Sequence, residues 1–406
     1  MRLAWFRPTL ETPVVGDDLA TVIAALSTAH AIDIIDQARA HDFVWQQARR
    51  PYDLCVFELD DTAAHAYIWP YLLHYPGVLA LRTATLHASR TTTLMHRPSR
   101  RDYDAEMRFS EGAPRTTIAW HVTQGTWPML RVPALASRLV AVADADWAEA
   151  LVRAHPAARV RYVPVGVASP TREGTGARGA GRREGGPRHP DAMRVAVVDG
   201  CVIDVVDRAI ARAWTAAAPI ERSIDTGTTA LGRDAHVAVA LGRPALGVSV
   251  AAALAGMAAG VPVIVAEAGA TAAWPALDPH TWQPRGYGGG YGGGYSDGSS
   301  DGYSDTAPPA VISIDPRDEE HSLMLAFRRL ASDAALHQRL GDDGHRWWAA
   351  HHTPSHAIQA WDALLREAVT LAPPSMPEEW PAHLTDDGTA LARQLVSELG
   401  LDFDTL

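Results

Sequence analysis

Short apolar runs alternate with helix-like patterns through the first part of the chain: "RLAWF", "LATVIAALSTAH", "AIDIID", "YDLCVFEL", "HAYIWPYLLHYP", "GVLALR", "RLVAVA", "DWAEALVRAH" and "VRYVPV". Strands that are apolar along their whole length and separated by helical segments predict a parallel sheet with crossover helices, because such strands are buried on both faces. The pattern restarts at Met193 with "MRVAVVDG", a helix from about Val202 to Ala216, and "HVAVALG". It ends in "LGVSVAAALAGMAAGVPVIV", which carries no charge from Leu246 to Val265. From Ala251 the Ala and Gly spacing there predicts a helix packed closely on the sheet, ended by Gly260 and followed by a buried strand over Val261 to Val265.

Two segments break the alternation. "SPTREGTGARGAGRREGGPRHPDA", from Ser169 to Ala192, has almost no apolar residue and reads as a flexible linker. "GYGGGYGGGYSDGSSDGYSD", from Gly286 to Asp305, has no capacity to bury a core and reads as a disordered insertion in a surface loop. Beyond it, Asp315, Pro316 and Asp318 signal a helix start, with Leu323, Leu325, Phe327 and Leu330 on a packing face. Thr353-Pro354 opens a second helix carrying Ile358, Trp361, Leu364 and Leu365. "APPSMPEEWPAH" interrupts it, and Gly388 to Leu399 offers a last helix ended by Gly400. The expected fold class is α/β: two Rossmann-like, doubly wound parallel-sheet domains facing a cleft, with a helical C-terminal layer. The expected boundaries are 1–168, a linker 169–192, 193–370 with an insertion 286–308, and a tail 371–406 with one helix.

Length supports that division, since 406 residues exceed one ordinary core. A formal net charge of -11 argues against nucleic acid or an anionic membrane as the main partner. The chain contains neither Lys nor Asn, so all 36 basic residues are Arg, which excludes P-loop and Schiff-base lysine chemistry. Cys55 and Cys201 make no disulfide or metal spacing and suit a reducing compartment. "MRLAWFRPTL" lacks the apolar core of a secretory leader, and the charge-free stretch, with its Gly, Ala and Pro262, suits a protein interior better than lipid. A cytoplasmic protein without a transmembrane segment is expected.

Open parallel sheets bind ligands at the carboxyl ends of their strands. In the first half those ends lead into Gly16-Asp17-Asp18, Glu58 to His65, and Arg82 to His87. In the second half they lead into Asp199-Gly200, Gly242-Arg243-Pro244, and Gly247 to Val250. His65 and His87 stand just beyond strands, where an imidazole bonds a substrate hydroxyl or shuttles a proton, although a lone His is more often a packing residue. Asp60 and Asp61 suit sugar hydroxyls or, more simply, the cap of a helix beginning near Thr62. "VVDG" lacks the further glycines of a dinucleotide fingerprint, which disfavours a nicotinamide enzyme. The histidines at 345, 351, 352 and 356 are interrupted by Pro354 and have no completing carboxylate, so no metal site is expected. No GxSxG, HExxH or GxxxxGKS motif occurs.

Several stretches in order resemble a known family. "RRPYDLCVFELDDTAAHAYIWPYLLHYPGVLAL" is similar to its strand, Gly-Asn loop, His, helix and "PG" strand. "VADADWAEALVRAHPAARVRYVPVGV" is similar to its exit from the first domain, and "MAAGVPVIVAEAG" to its "AMAxGxPVI" segment. "ALDPHTWQPR" and "ISIDPRDEEHSLMLAFRRLASDAALHQRLGDDGHRWW" are similar to a downstream segment of one bacterial subgroup. The family is the GT-B fold glycosyltransferases, group 1, typified by glycogen-synthase-like and mannosyltransferase-like retaining enzymes.

The resemblance implies a nucleotide-sugar co-substrate, a glycan, lipid or small acceptor, metal-independent retaining transfer and no bound cofactor. It implies donor contacts at Gly200, Arg243, Gly247, Val248 and Ser249. On the acceptor side it implies contacts at Gly16, Asp60, Asp61, Arg82 and Arg131, with His65 and His87 as catalytic candidates. The departures are concerted. The family's ribose-binding Glu matches Gly247 or Val248, and its second acid matches Ala255 or Gly256. Its phosphate-binding cations match Val205, Val206 and Asp207, "LHD" is "LRT" with Arg82 and Thr83, and the "PHGV" histidine is Val165. Arg131, Arg138 and Arg243 are the candidate replacement cations. Two functions follow: a divergent transferase at work in the cytoplasm or at the inner membrane face, or an inactive relative that acts as scaffold or regulator of an active glycosyltransferase.

Overall fold

The computed structural model describes residues 1–9, 18–95, 100–112, 128–169, 192–198, 203–223, 235–241, 250–267, 271–285, 307–385 and 397–398. The linker beyond Ser169, most of the Gly/Tyr insertion and most of the last helix lie outside these residues.

The first half runs β1 (Arg2–Phe6), α1 (Asp18–Leu26), β2 (Ala31–Ile35), α2 (Ala40–Arg49), β3 (Leu54–Leu59), a 3-10 turn (Ala63–His65), α3 (Ile68–His74) and β4 (Val78–Leu81). It continues with α4 (His87–Leu94), α5 (Arg101–Glu111), α6 (Arg131–Ala136), β5 (Leu139–Val142), α7 (Ala145–Ala154) and β6 (Val160–Tyr162). The strands form one parallel sheet in the order β2-β1-β3-β4-β5-β6. The second half holds β7 (Met193–Val197), α8 (Ile203–Ala213), β8 (Ile220–Arg222), β9 (Val237–Ala240), α9 (Val250–Ala258), β10 (Val263–Ala266), β11 (Ala276–Leu277), β12 (Val311–Ile314), α10 (Glu319–Ser332), α11 (Ala334–His351) and α12 (Pro354–Thr370). Its sheet is also parallel, in the order β11-β12-β10-β9-β7-β8.

The apolar runs behave as their composition requires. β3, β4, β5, β9, β10 and β12 are buried at every position. Successive side chains serve opposite layers. In β1, Ala4 and Phe6 pack with Phe43, Phe57, Leu72 and Leu135 on one face, whereas Leu3 and Trp5 pack with Leu19, Val22 and Leu365 on the other. The charge-free helix α9 ends at Gly260, whose φ of 73° is open to glycine and strained for other residues.

The chain crosses between the halves twice. After β6 it leaves through Val163 to Ser169, and it returns at 351–354. Trp361, Leu364, Leu365 and Ala368 of α12 then pack on the first sheet, and the Trp361 ring lies 5.3 Å from that of Trp5. Chain order puts α12 inside 193–370, but its core contacts belong to the first half. The crossings are bonded side by side: the Val167 N–H donates to the His352 carbonyl at 3.0 Å. His352 Nδ1 meets the Val165 carbonyl at 3.0 Å and the Trp348 indole N–H donates to the Val167 carbonyl at 3.1 Å.

Candidate functional site

In the first sheet β2 and β3 flank β1 on opposite sides, so the winding reverses between β1 and β3. A doubly wound sheet opens a crevice outside the carboxyl ends of the strands at such a point. Arg7 follows β1 there, Glu58 lies near the end of β3, Asp60 to His65 follow it, and Arg82 follows β4.

Glu58 is an acid inside an otherwise apolar buried strand, and Arg7 answers it, with Nε 3.2 Å from Glu58 Oε2. The sequence pattern puts Glu58 at a strand end but does not reveal Arg7 as its partner. The signal available was the single charge within "LCVFEL", which burial obliges to find a counter-charge. His65 is 7% exposed, and its Nδ1 lies 2.9 Å from Thr62 Oγ1. Burial pushes its pKa down to about 4; Asp60 opposes that shift, and Arg82 and Arg7 add to it. The ring is therefore neutral at pH 7, a hydrogen-bonding partner rather than a cation. Arg82 is exposed at the rim, and its backbone N–H donates to the Leu59 carbonyl at 2.9 Å. Beside it, Leu19, Ala143, Pro164 and Trp361 line a shallow open depression.

The two aspartates part company. Asp60 Oδ1 accepts from the Asp61 N–H at 2.7 Å. Asp61 Oδ1 accepts from the Ser89 N–H at 2.9 Å and so caps the first turn of α4. This corrects the expected cap near Thr62, because the chain there makes a 3-10 turn with no side-chain cap bond. His87 is buried behind it with Nε2 3.0 Å from Tyr103 Oη. Burial lowers its pKa, and Asp61 opposes the shift. That bond ties α4 to α5, which is a packing role.

Of the candidate cations, Arg131 donates from Nη1 to the Phe109 carbonyl at 2.7 Å and stacks over the Phe109 ring at 4.3 Å. Arg138 precedes β5 and so stands at the amino edge of the sheet, where Nε donates to the Pro76 carbonyl at 2.9 Å and Nη1 to the Leu371 carbonyl at 3.2 Å. Both guanidiniums join structural elements.

In the second sheet the winding reverses between β7 and β9. The strand ends there lead into segments beyond the described residues, so Gly200, Arg243, Gly247, Val248 and Ser249 lie outside them, as does Gly16 in the first half. The flanking helices are described. In α8, Val206 is fully buried and Asp207 accepts from Arg222 Nε at 2.7 Å. Arg208 and Arg212 each donate to Glu320 of α10 at 2.8 Å. In α9, a Cβ on Gly256 would lie 2.9 Å from Val263 Cγ2 and 3.0 Å from Ala238 Cβ. Gly256, one of the two positions matching the family's second acid, is a helix-to-sheet contact without room for a carboxylate. The histidines at 345, 351, 352 and 356 bond separately to the Ala258 carbonyl, the Trp347 carbonyl, the Val165 carbonyl and Thr353 Oγ1, and do not converge.

No protein-family model matches the sequence, and no curated protein sequence matches it. Solved structures do match. Sucrose-phosphate synthase of Thermosynechococcus elongatus is 11% identical, covers 90% of this chain and 98% of its own, and superposes with a TM-score of 0.52. HepE of Anabaena, solved in complex with UDP-glucose, is 10% identical, covers 90% of this chain and 99% of its own, with a TM-score of 0.48. The chain has the GT-B fold, two parallel Rossmann-like sheets in tandem. Among the described residues no helix is long and apolar enough to cross a membrane.

Proposed function

We propose that this chain is a glycosyltransferase that moves a sugar from a nucleotide-sugar to a glycan, lipid or small acceptor, retaining and without a metal at the reacting diphosphate. The observation that carries the reading is the first sheet's winding reversal, where Arg7, Asp60, a neutral buried His65 and exposed Arg82 gather around the strand ends. A neutral imidazole and a carboxylate suit sugar hydroxyls, which ask for acceptors and donors without a strong field. On the donor side the reading uses backbone amides near Gly200, Gly247 and Val248, the Ser249 hydroxyl and Arg243, since departing diphosphate is stabilised by N–H groups and guanidinium. The reading puts the work in the cytoplasm, or at the inner membrane face if the acceptor is a lipid.

A second reading is an inactive relative that scaffolds or regulates an active glycosyltransferase. The filled contact at Gly256 and the paired acid at Asp207 favour it. Calorimetry with UDP-, GDP- and ADP-sugars separates the two. The transferase reading expects one donor class to bind, tenfold or more weakly in Arg243→Ala, with His65→Ala lowering turnover while donor binding is kept. No binding across the panel overturns it in favour of the scaffold.

A further inference from the structure

β11 is the outermost strand of the second sheet, and the loop after it is closed by its own bonds. The Asp278 N–H donates to the Gln283 carbonyl at 3.1 Å and the Trp282 N–H to the Asp278 carbonyl at 2.8 Å. Asp278 Oδ1 accepts from the His280 N–H at 2.7 Å. Trp282 is held at a φ of 58°, and Leu277 pairs with Pro284 as the chain turns back. His280 is thus presented from a fixed backbone at the carboxyl edge of the sheet. At the same edge, past β12, α10 begins, with Asp318 at its N-cap and His321 in its first turn.

The ligand atoms of His280, Asp318 and His321 all lie within 4.8 Å of one another, and all three residues are exposed. His280 Nε2 is 3.5 Å from Asp318 Oδ2, and the two imidazole rings are 5.5 Å apart. Asp318 occupies the N-cap of α10 yet makes no side-chain cap bond. A carboxylate at that position ordinarily accepts an N–H of the first turn; here it faces an imidazole instead. The adjacent Arg317 is turned onto Asp315, with Nε 3.0 Å from Oδ1 and Nη2 2.8 Å from Oδ2.

We propose that His280, Asp318 and His321 bind a divalent transition-metal ion, with Zn²⁺ the preferred occupant. Two imidazole nitrogens and one carboxylate oxygen form the donor set of an open zinc site, leaving the fourth tetrahedral position to water, whereas Ca²⁺ and Mg²⁺ require oxygen ligands throughout. Donors around tetrahedral zinc stand about 3.3 Å apart at its usual bond lengths, a contraction that exchanges the 3.0 Å contact of His280 Nε2 with Ser322 Oγ for the metal and rotates the three exposed side chains inward. The ion clamps the loop after β11 to the first turn of α10. β10 stands between the β12 end that carries Asp318 and His321 and the β9 strand end, and the proposal does not rest on sugar transfer.

Full-length protein stripped with chelator is titrated with Zn²⁺ by calorimetry, and Co²⁺ is followed by its visible absorption. The expected result is saturable one-to-one binding and a Zn²⁺-dependent rise in Tm that chelator reverses. His280→Ala and His321→Ala each weaken binding tenfold or more and abolish the Co²⁺ band. Asp318→Asn, which can still cap a helix, weakens binding too. His41→Ala and His74→Ala, exposed histidines elsewhere, leave it unchanged. The exposed positions let the variants fold, which circular dichroism checks. Absence of saturable binding, or undiminished binding in the His280→Ala/His321→Ala double variant, overturns the proposal.

Discussion

His65 and His352 show how far burial alone can retune a side chain. Both are pushed down to about 4, chiefly by burial; at His65, Asp60 opposes the shift, and at His352 the Val165 carbonyl does. Between that value and the ordinary 6.5 the unfolded chain takes up protons that the folded chain refuses. Their stabilising share is therefore complete above about pH 6.5 and is lost as pH falls toward 4, on the order of 2–3 kcal/mol per ring. Urea unfolding between pH 7.5 and 5.5, above most carboxylate titration, checks this: the midpoint is expected to fall with pH, and less steeply in His352→Phe. His65 was legible as a site candidate because it follows a strand end, and it stays at the winding reversal. His87 carried the same signal and is spent on Tyr103. The difference lies in α5, whose arrival over His87 no local pattern announced.

At the scale of elements, α4 and α5 are the clearest case of structure that local pattern did not disclose. "HASRTTTL" has three threonines and no apolar stripe, so helix propensity argues weakly for it. Tertiary bonds supply what propensity lacks. Arg90 and Glu106 are buried at 3% and 0% exposure, Arg90 Nε donates to Glu106 Oε2 at 2.7 Å, and the Arg90 guanidinium lies 4.6 Å over the Trp69 ring. His383, from the 3-10 turn Ala382–Leu384, reaches Glu106 Oε1 at 2.7 Å and draws the C-terminal segment onto the first half. Burial pushes Glu106 up, but bonds from His383 and Arg90 outweigh it and hold the carboxyl below its usual range. Glu106→Gln leaves Arg90 buried without its counter-charge and is expected to cost about 3–5 kcal/mol, with Glu106→Leu/Arg90→Leu costing less; denaturant titration measures both. In α9 the opposite held: small residues and Gly260 announced a tightly packed helix, and Gly256→Ala is expected to destabilise by about 1–3 kcal/mol through overpacking, read as a shift in Tm.

For the whole molecule, the order of apolar runs disclosed both parallel sheets, because strands buried on both faces have no polar side to disguise them. The return of α12 to the first sheet was not legible, since its apolar face fits either half and only Trp361 against Trp5, with His30 Nε2 2.8 Å from Asp362, decides the partner. A cut between Ser169 and Ala192 is therefore expected to leave one particle in size-exclusion chromatography, its halves still joined through 351–354, and to separate only after denaturation. Two neighbouring crossings also have a mechanical consequence. A single tether would let one half swivel freely against the other, whereas two chain segments bonded at Val167 and His352 behave like a door hung on adjacent pins. Opening and closing is left as the soft motion, and twisting is resisted.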